Sequence, residues 1–381
     1  MKLFLHRKYE KWRESMVSEN IQEAKEKYRD KNAGTPIPVK KPSNIIGGKL
    51  TRQELFELEN KPKTAKELII DRFICFLPIL AGIIALLEYM YIPNYKNNYA
   101  SYTYVYFIGI LITLVLIAFA ASFFNKAVFY KLLYKAPFYT LVFVLFTVYD
   151  VLTLKSSKLM LPYFPWVDQI LNSIISDRAY LLDCIKNSLI LLFTGYFTGA
   201  IIGIITGIAC GYSKRINYWI EPFMKLFGAI PSTTWIPIVM VLATSLFKGS
   251  VFIIALGVWF AVTLATITGI SSIDSAYYDA AKTLGAGNRQ LILHIAVPSA
   301  IPNIFQGLMQ AMSSACTALL VAEMIGVESG LGWYITWQKS WAQYAKMYAA
   351  IVIICIIFVL VNYIMNLIKK KVLRWQEGIV K

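Results

Sequence analysis

The feature that most constrains this chain is a series of apolar runs, each roughly 20 residues long and nearly free of charge, the length a helix needs to cross a bilayer. Backbone N–H and C=O groups find no water inside lipid, so such segments must close their hydrogen bonds internally, as helices do. The runs are Phe73 to Ile92, Thr103 to Phe124, Phe138 to Leu154, Ser188 to Gly211, Tyr218 to Ala243, Val251 to Ile270, Gly307 to Ile325 and Met347 to Ile368. They predict an all-α, polytopic transmembrane helical bundle of about eight spans, an integral component of the lipid bilayer.

Charge follows the same plan. The 381 residues are 57% hydrophobic and 16% charged, with a net charge of +16. Such an excess can signal nucleic acid, but here the basic residues collect in the first 72 positions, in short loops and at the C-terminus, beside the spans. Positive-inside orientation accounts for them, so no nucleic-acid partner is expected and both termini are placed in the cytoplasm. Lys126, Lys131 and Lys135 put an expected loop, Asn125 to Pro137, on the inner side, and Lys214 and Arg215 do the same for the turn after Gly211. The N-terminus has no continuous apolar stretch of the signal-peptide type. Cys75, Cys184, Cys210, Cys316 and Cys355 are scattered without metal-ligand spacing and read as packing residues. Gly47-Gly48-Lys49-Leu50-Thr51 lacks the Ser or Thr after Lys and the earlier Gly of a phosphate loop, so no cofactor is expected in this chain.

The expected organisation is a basic cytoplasmic extension (1–72), an accessory transmembrane hairpin (73–136), a leading helix with an outer surface segment (137–187), a core (188–370) containing a cytoplasmic loop at 274–298, and a basic tail (371–381). The extension reads as a charged helix to about Asp30, a linker from Pro36 to Lys49 and a second helix from Thr51 to Asp71.

Within the core, Gly195, Gly199, Gly203, Gly207 and Gly211 recur every fourth residue. Four residues return to nearly the same helix face, so one stripe lacks side chains and a second backbone can approach closely. Pro231 and Pro237, with Ser232, Thr233 and Thr234 between them, predict a kinked span whose freed carbonyls either face a pathway or merely shape the helix. Asn303, Gln306, Gln310, Ser313 and Thr317 fall three or four residues apart on one polar face, suited to lining a route or to gluing helices. Glu323 lies near the outer end of that span with Glu328 just beyond, and Glu88 near the outer end of the first.

The loop carries its own logic. Asp274 or Ser275 can cap a helix running to Leu284, Gly285 can end it in the left-handed conformation, and Asn288 can cap a second helix that Pro298 stops. Two short helices at an angle make a compact knob, narrow at Ala280 and Ala281, with Leu284, Leu291 and Ile292 offering apolar contact.

Asp279-Ala280-Ala281, Gly285 three residues later, then Ile295, Val297 and Pro298 resemble the EAA loop of ABC importer permeases, with Asp in place of the leading Glu. The glycine span, AIPSTTWIPI from Ala229, VAEMIGVESGLGWYI from Val321 and KKKVLRW from Lys369 follow in the order of the nitrate, sulfonate and taurine group of that family. The resemblance covers about Pro165 to Trp375; the first 72 residues and the hairpin have no counterpart in it. It implies a type I importer (MetI-like) permease core in a bacterial cytoplasmic membrane, paired with a second permease copy as a homodimer. It further implies ATPase subunits that bind ATP and Mg and dock on Asp279, Ala280, Ala281, Leu284, Gly285, Ile295 and Pro298, and an extracytoplasmic binding protein that delivers a small anion or heterocyclic precursor. Ser232, Thr233, Thr234, Gln306, Gln310, Ser313, Thr317 and Glu323 are then the candidates for the translocation path. An ion-coupled secondary transporter or a channel is the alternative, while a membrane enzyme would need convergent acid–base groups that the two histidines, His6 and His294, do not supply.

Overall fold

The computed structural model describes residues 65–96 and 98–374. The expectations for 1–64, for Trp375 and for the remaining tail lie outside them. Among the described residues every regular element is helical, and seven stretches are long and apolar enough to cross a membrane, with an eighth if a bent pair is counted as one span.

The chain begins with α1 (Ala65–Tyr91), α2 (Thr103–Phe124) and α3 (Lys126–Asp150), the last running into a π turn at Val151–Lys155. The expected loop Asn125 to Pro137 is instead helix. Asn125 alone separates α2 from α3, its side chain accepting the Ala127 N–H at 2.9 Å, and Pro137 sits inside α3 without ending it. The three lysines therefore lie on the first three turns of α3 rather than in a loop. An amphipathic α4 (Val167–Ser176) then bridges this bundle to the core, packing against both α2 and the last helix, α13 (Tyr344–Val372).

The core is built on three long helices. These are α5 (Arg178–Tyr212), α8 (Leu246–Ser271) and α11 (Val297–Gly326), with α8 in the middle. The glycine stripe faces α8 along its whole length. A Cβ on Gly195 would lie 2.7 Å from Ile254 Cβ, one on Gly203 2.9 Å from Val262 Cβ, and one on Gly207 2.5 Å from Thr266 Cβ; Gly199 meets the Ala255 carbonyl and Gly211 meets Ile270. A four-residue ladder on α5 thus opposes a four-residue ladder on α8. Hydrogen bonds run across the seam: Thr263 Oγ1 donates to the Gly203 carbonyl (3.2 Å), Trp259 Nε1 donates to Thr206 Oγ1 (3.0 Å), and the two threonine hydroxyls pair at 2.9 Å. On its other side α8 meets α11 equally closely, at Gly307 against Ala265 and Gly269 against Asn303. Ile253, Ile254, Val258, Met312 and Leu319 fill the buried centre.

The expected kinked span is a full break. After α6 (Lys214–Ala229) the chain turns by 90° into a 3₁₀ turn at Ser232–Trp235 and α7 (Ile236–Leu242). Pro231 lacks an N–H and biases Ile230 to the extended conformation, which ends α6 there.

A short α12 (Leu331–Ser340) stacks Trp333 on Trp337 at 5.3 Å, with Trp341 continuing the row at 6.0 Å. Asp177, between α4 and α5, accepts the Tyr334 hydroxyl at 2.8 Å and pairs with Lys346 at 2.9 Å, tying α5, α12 and α13 together. Partial burial alone would raise this carboxyl, but the bonds from Lys346 and Tyr334 outweigh it and hold it below the usual aspartate range. A depressed folded-state value means that its stabilising contribution is complete above the ordinary aspartate range and fades only as pH falls below it.

Two outcomes test this packing. Gly203→Leu should overpack the α5–α8 seam and destabilise the protein by about 1–3 kcal/mol, whereas Gly109→Leu, where an added Cβ meets nothing within 4 Å, should leave thermal unfolding in detergent unchanged. Asp177→Asn should lower the unfolding temperature at neutral pH, and the gap from the unmutated protein should close as the buffer is taken below the aspartate range.

Candidate functional site

The loop after α8 forms the projecting feature expected of it, with a different second half. Asp274 caps α9 (Ser275–Thr283), its carboxylate accepting the Ala276 N–H at 3.0 Å. Leu284 closes the helix, and Gly285 takes a φ of +83°, the left-handed conformation that a side chain would strain. Two backbone bonds complete the stop, Gly285 N–H to the Lys282 carbonyl (2.9 Å) and Ala286 N–H to the Ala281 carbonyl (3.0 Å), the Schellman arrangement.

The second arm is not a separate short helix. Gly287 rather than Asn288 is its N-cap, with the Gln290 side chain accepting the Gly287 N–H at 2.8 Å, while Asn288 accepts a bond from the Tyr212 hydroxyl at 3.2 Å. From α10 (Asn288–Gln290) the helix passes through a π turn at Leu291–Ala296 directly into α11, so Asn288 to Gly326 is one continuous helical stretch of 39 residues. Pro298 does not stop it, because it stands just past the π turn, whose shifted hydrogen-bond ladder accommodates the missing N–H.

Side-chain placement refines the surface. Asp279, Ala280 and Gly285 are exposed, Leu284 is 89% exposed, and Ala281, Ile295 and Pro298 are half-buried. Leu291, expected to offer contact, is buried against this chain's own helices. Tyr277 on the first arm and Leu293 on the second supply further exposed apolar area instead. Asp279 and Lys282 pair at 3.5 Å on an open surface, a contact that contributes little.

Further along the same continuous helix, Gln306, Gln310, Ser313 and Thr317 are all exposed on α11, with Asn303 half-buried against Gly269. The 3₁₀ turn carrying Ser232, Thr233 and Thr234 packs against both α8 and α11, and Ser232 reaches toward Gly257. The chain break therefore packs on the helix that bears the polar face. Lys369, at the basic end of α13, donates to Gln306 at 2.8 Å and closes that end of the face.

Glu323 sits apart from this face. It is 1% exposed and turned toward the start of α12, where it accepts the Gly332 N–H at 2.8 Å. Gly330, at a φ of +132°, passes so close that a Cβ there would collide with the Glu323 carboxyl, so the turn Val327 to Gly330 is shaped around this side chain. Asn187 holds the same turn by donating to Ser329 at 2.7 Å, and the Leu331 N–H bonds to Ser188 at 2.9 Å. Among the described residues no group of three or more His, Cys, Asp or Glu side chains is placed to hold a metal ion.

Replacing Asp274 with Ala should cost α9 its cap, worth about 1 kcal/mol, and should speed amide hydrogen exchange at 275–284 without changing exchange in α5 or α8.

Comparison with known proteins bears on the same segment. Residues 199–374, just under half of the chain, match the family described as binding-protein-dependent transport system inner membrane component. A protein of Methanocaldococcus jannaschii named as a candidate ABC transporter permease is 26% identical over 142 residues, 36% of this chain and 53% of that protein, so the chain spans about half the length of this relative. Among solved structures, a chain of the methionine ABC transporter MetNI in an inward-facing conformation matches at 17% identity with a TM-score of 0.46, covering 52% of this chain and 98% of that one. A chain of an amino acid ABC transporter solved with histidines matches at 18% identity and a TM-score of 0.45, covering 53% and 97%. Over its long-helix core, then, the chain is similar to the inner-membrane components of binding-protein-dependent transport systems.

Proposed function

We propose that this protein is the membrane permease subunit of an ATP-driven importer, in which ATP is bound and hydrolysed with Mg by separate subunits docked on the projecting loop. The observation that carries this reading is mechanical. The loop from Asp274 to Pro298 has a stiff first arm, α9, and a second arm that is the beginning of the same helix that bears Gln306, Gln310, Ser313 and Thr317. A partner gripping Ala281, Leu284, Gly285, Tyr277 and Leu293 from the cytoplasm would thus act directly on the helix facing the route. The family match over 199–374 supports the transport role.

The polar face of α11 is exposed in a single copy, and polar groups at membrane depth need protein or water. Two copies facing each other across that wall supply both, so the route runs between two permeases and the assembly is a homodimer in the cytoplasmic membrane with both termini inside. An extracytoplasmic binding protein delivers the solute at the end marked by the Val327–Gly330 turn. The motif order favours the nitrate, sulfonate and taurine group, and hence a small organic anion or heterocyclic precursor as cargo.

The test is Gly285→Glu or Ala281→Glu in the assembled complex. Either change should abolish capture of the ATPase subunits by the tagged permease and stop transport, with membrane insertion retained. Unchanged capture by both variants would remove this surface as the docking site.

A further inference from the structure

The bundle formed by α1 to α4 lies wholly outside the family match and carries polar chemistry that a supporting scaffold does not require. Three carboxyls are buried in it: Asp168 at 2% exposure, Asp150 at 0% and Glu88 at 8%. Asp168 is fully supplied with donors. It accepts the Ser101 N–H (2.8 Å), the Ser101 hydroxyl (2.7 Å), the Tyr104 N–H (3.1 Å) and the Asn172 amide (3.1 Å).

Glu88 and Asp150 are the opposite case. Their carboxyls, from α1 and α3, come within hydrogen-bonding range of each other, and none of their four oxygens meets a donor. The nearby ammonium of Lys155 does not serve them. Its three N–H groups are spent on the Tyr89 carbonyl (2.8 Å), the Ile92 carbonyl (2.6 Å) and the Asn94 side-chain oxygen (2.9 Å). The Tyr104 hydroxyl, on a residue with no exposed surface, stands in the field of the same two carboxyls and also lacks a partner, as does the Trp166 indole N–H at 3% exposure.

Two ionised carboxylates at this separation, buried and without donors, would repel each other strongly, and Lys155 balances only one of the two charges. One added positive charge resolves both problems. We propose that Glu88 and Asp150 form a proton-binding site, sharing one proton in an O–H···O bond that joins α1 to α3. With the proton bound, the pair carries one negative charge, which Lys155 offsets. The titratable groups facing the pair are Lys155 at the end of α3, Tyr89 on α1, Tyr104 on α2 and Asp168 on α4. Loss of the proton leaves two like charges in contact, so it should loosen α1 from α3. Because α4 packs on both α2 and α13, occupancy of this site can reach the transport core.

Infrared spectroscopy of the purified full-length protein in sodium-free buffer tests this. At neutral pH the unmutated protein should show the C=O stretch of a protonated carboxylic acid, shifting in deuterated water and disappearing as the pH is raised. Glu88→Gln and Asp150→Asn should each remove it, since either amide supplies the missing donor and leaves the other carboxyl ionised. If a variant fails to fold, isotopic labelling of aspartate or of glutamate carboxyls in the unmutated protein still assigns the band. Three results would overturn the proposal: no such band in the unmutated protein, a band that vanishes when sodium is added at constant pH, which assigns the site to an alkali ion, or a band lost only in Glu323→Gln.

Discussion

The close approach of α5 and α8 is the constraint on which the rest of the core depends. Lipid tails are as apolar as leucine, so two helices gain nothing by hiding apolar side chains from them, and association must come from dispersion at short range and hydrogen bonds across the seam. Five glycines in register remove the side chains that would hold the backbones apart, and Thr206, Thr263 and Trp259 use the proximity to form interhelical bonds. Because α8 is pressed equally closely by α11 through Gly307 and Gly269, the position of α11 is set by a chain of contacts that begins at the glycine stripe. The polar face of α11 is therefore carried on a helix with little freedom to shift sideways within its own subunit.

That restriction gives the projecting loop its meaning. A helix clamped along its middle transmits force along its axis better than across it, and α11 extends without interruption into the second arm of the loop. Interiors packed this tightly respond to force by moving as units rather than by deforming. The π turn at Leu291–Ala296 is the one irregular stretch between loop and span, and it lies next to Pro298 and Pro302, where the backbone ladder has no donor. Movement of the loop would thus tilt or shift α11 from that point, past the broken chain at Ser232 to Thr234.

What the sequence made legible was local or strictly periodic. The four-residue glycine register, the Asp274 cap and the left-handed Gly285 each declare themselves within a few residues, and the structure places them as expected, while the apolar run from Tyr218 to Ala243 breaks into two helices. What escaped depended on neighbours distant in the chain. Lys126, Lys131 and Lys135 look like a loop until they are seen on the first turns of a continuous helix, and Pro298 looks like a stop until the preceding π turn makes it a continuation. Leu291 is indistinguishable in sequence from the exposed Leu293, since burial depends on which side of the helix meets the core. Asp150 is a lone acid in an apolar run, and only folding brings it to Glu88.

The buried carboxyls also weigh on how the core is powered. Ion-coupled transport uses a carboxyl that gains and loses a cation while facing the route. Glu323, the buried acid of α11, instead spends an oxygen on the Gly332 N–H and fixes the turn from Val327 to Gly330 at the outer end, with its back to Gln310, Ser313 and Thr317. Freeing it to exchange a cation would undo the turn that it shapes, so its role is that of a latch on the Val327–Gly330 turn. The Glu88–Asp150 pair lies in the α1–α4 bundle, joined to the core through α4 and away from the polar face of α11. If a docked partner drives the core, as proposed, its force would enter at the loop from Asp274 to Pro298, which is exposed and continuous with the helix that bears Gln310, Ser313 and Thr317.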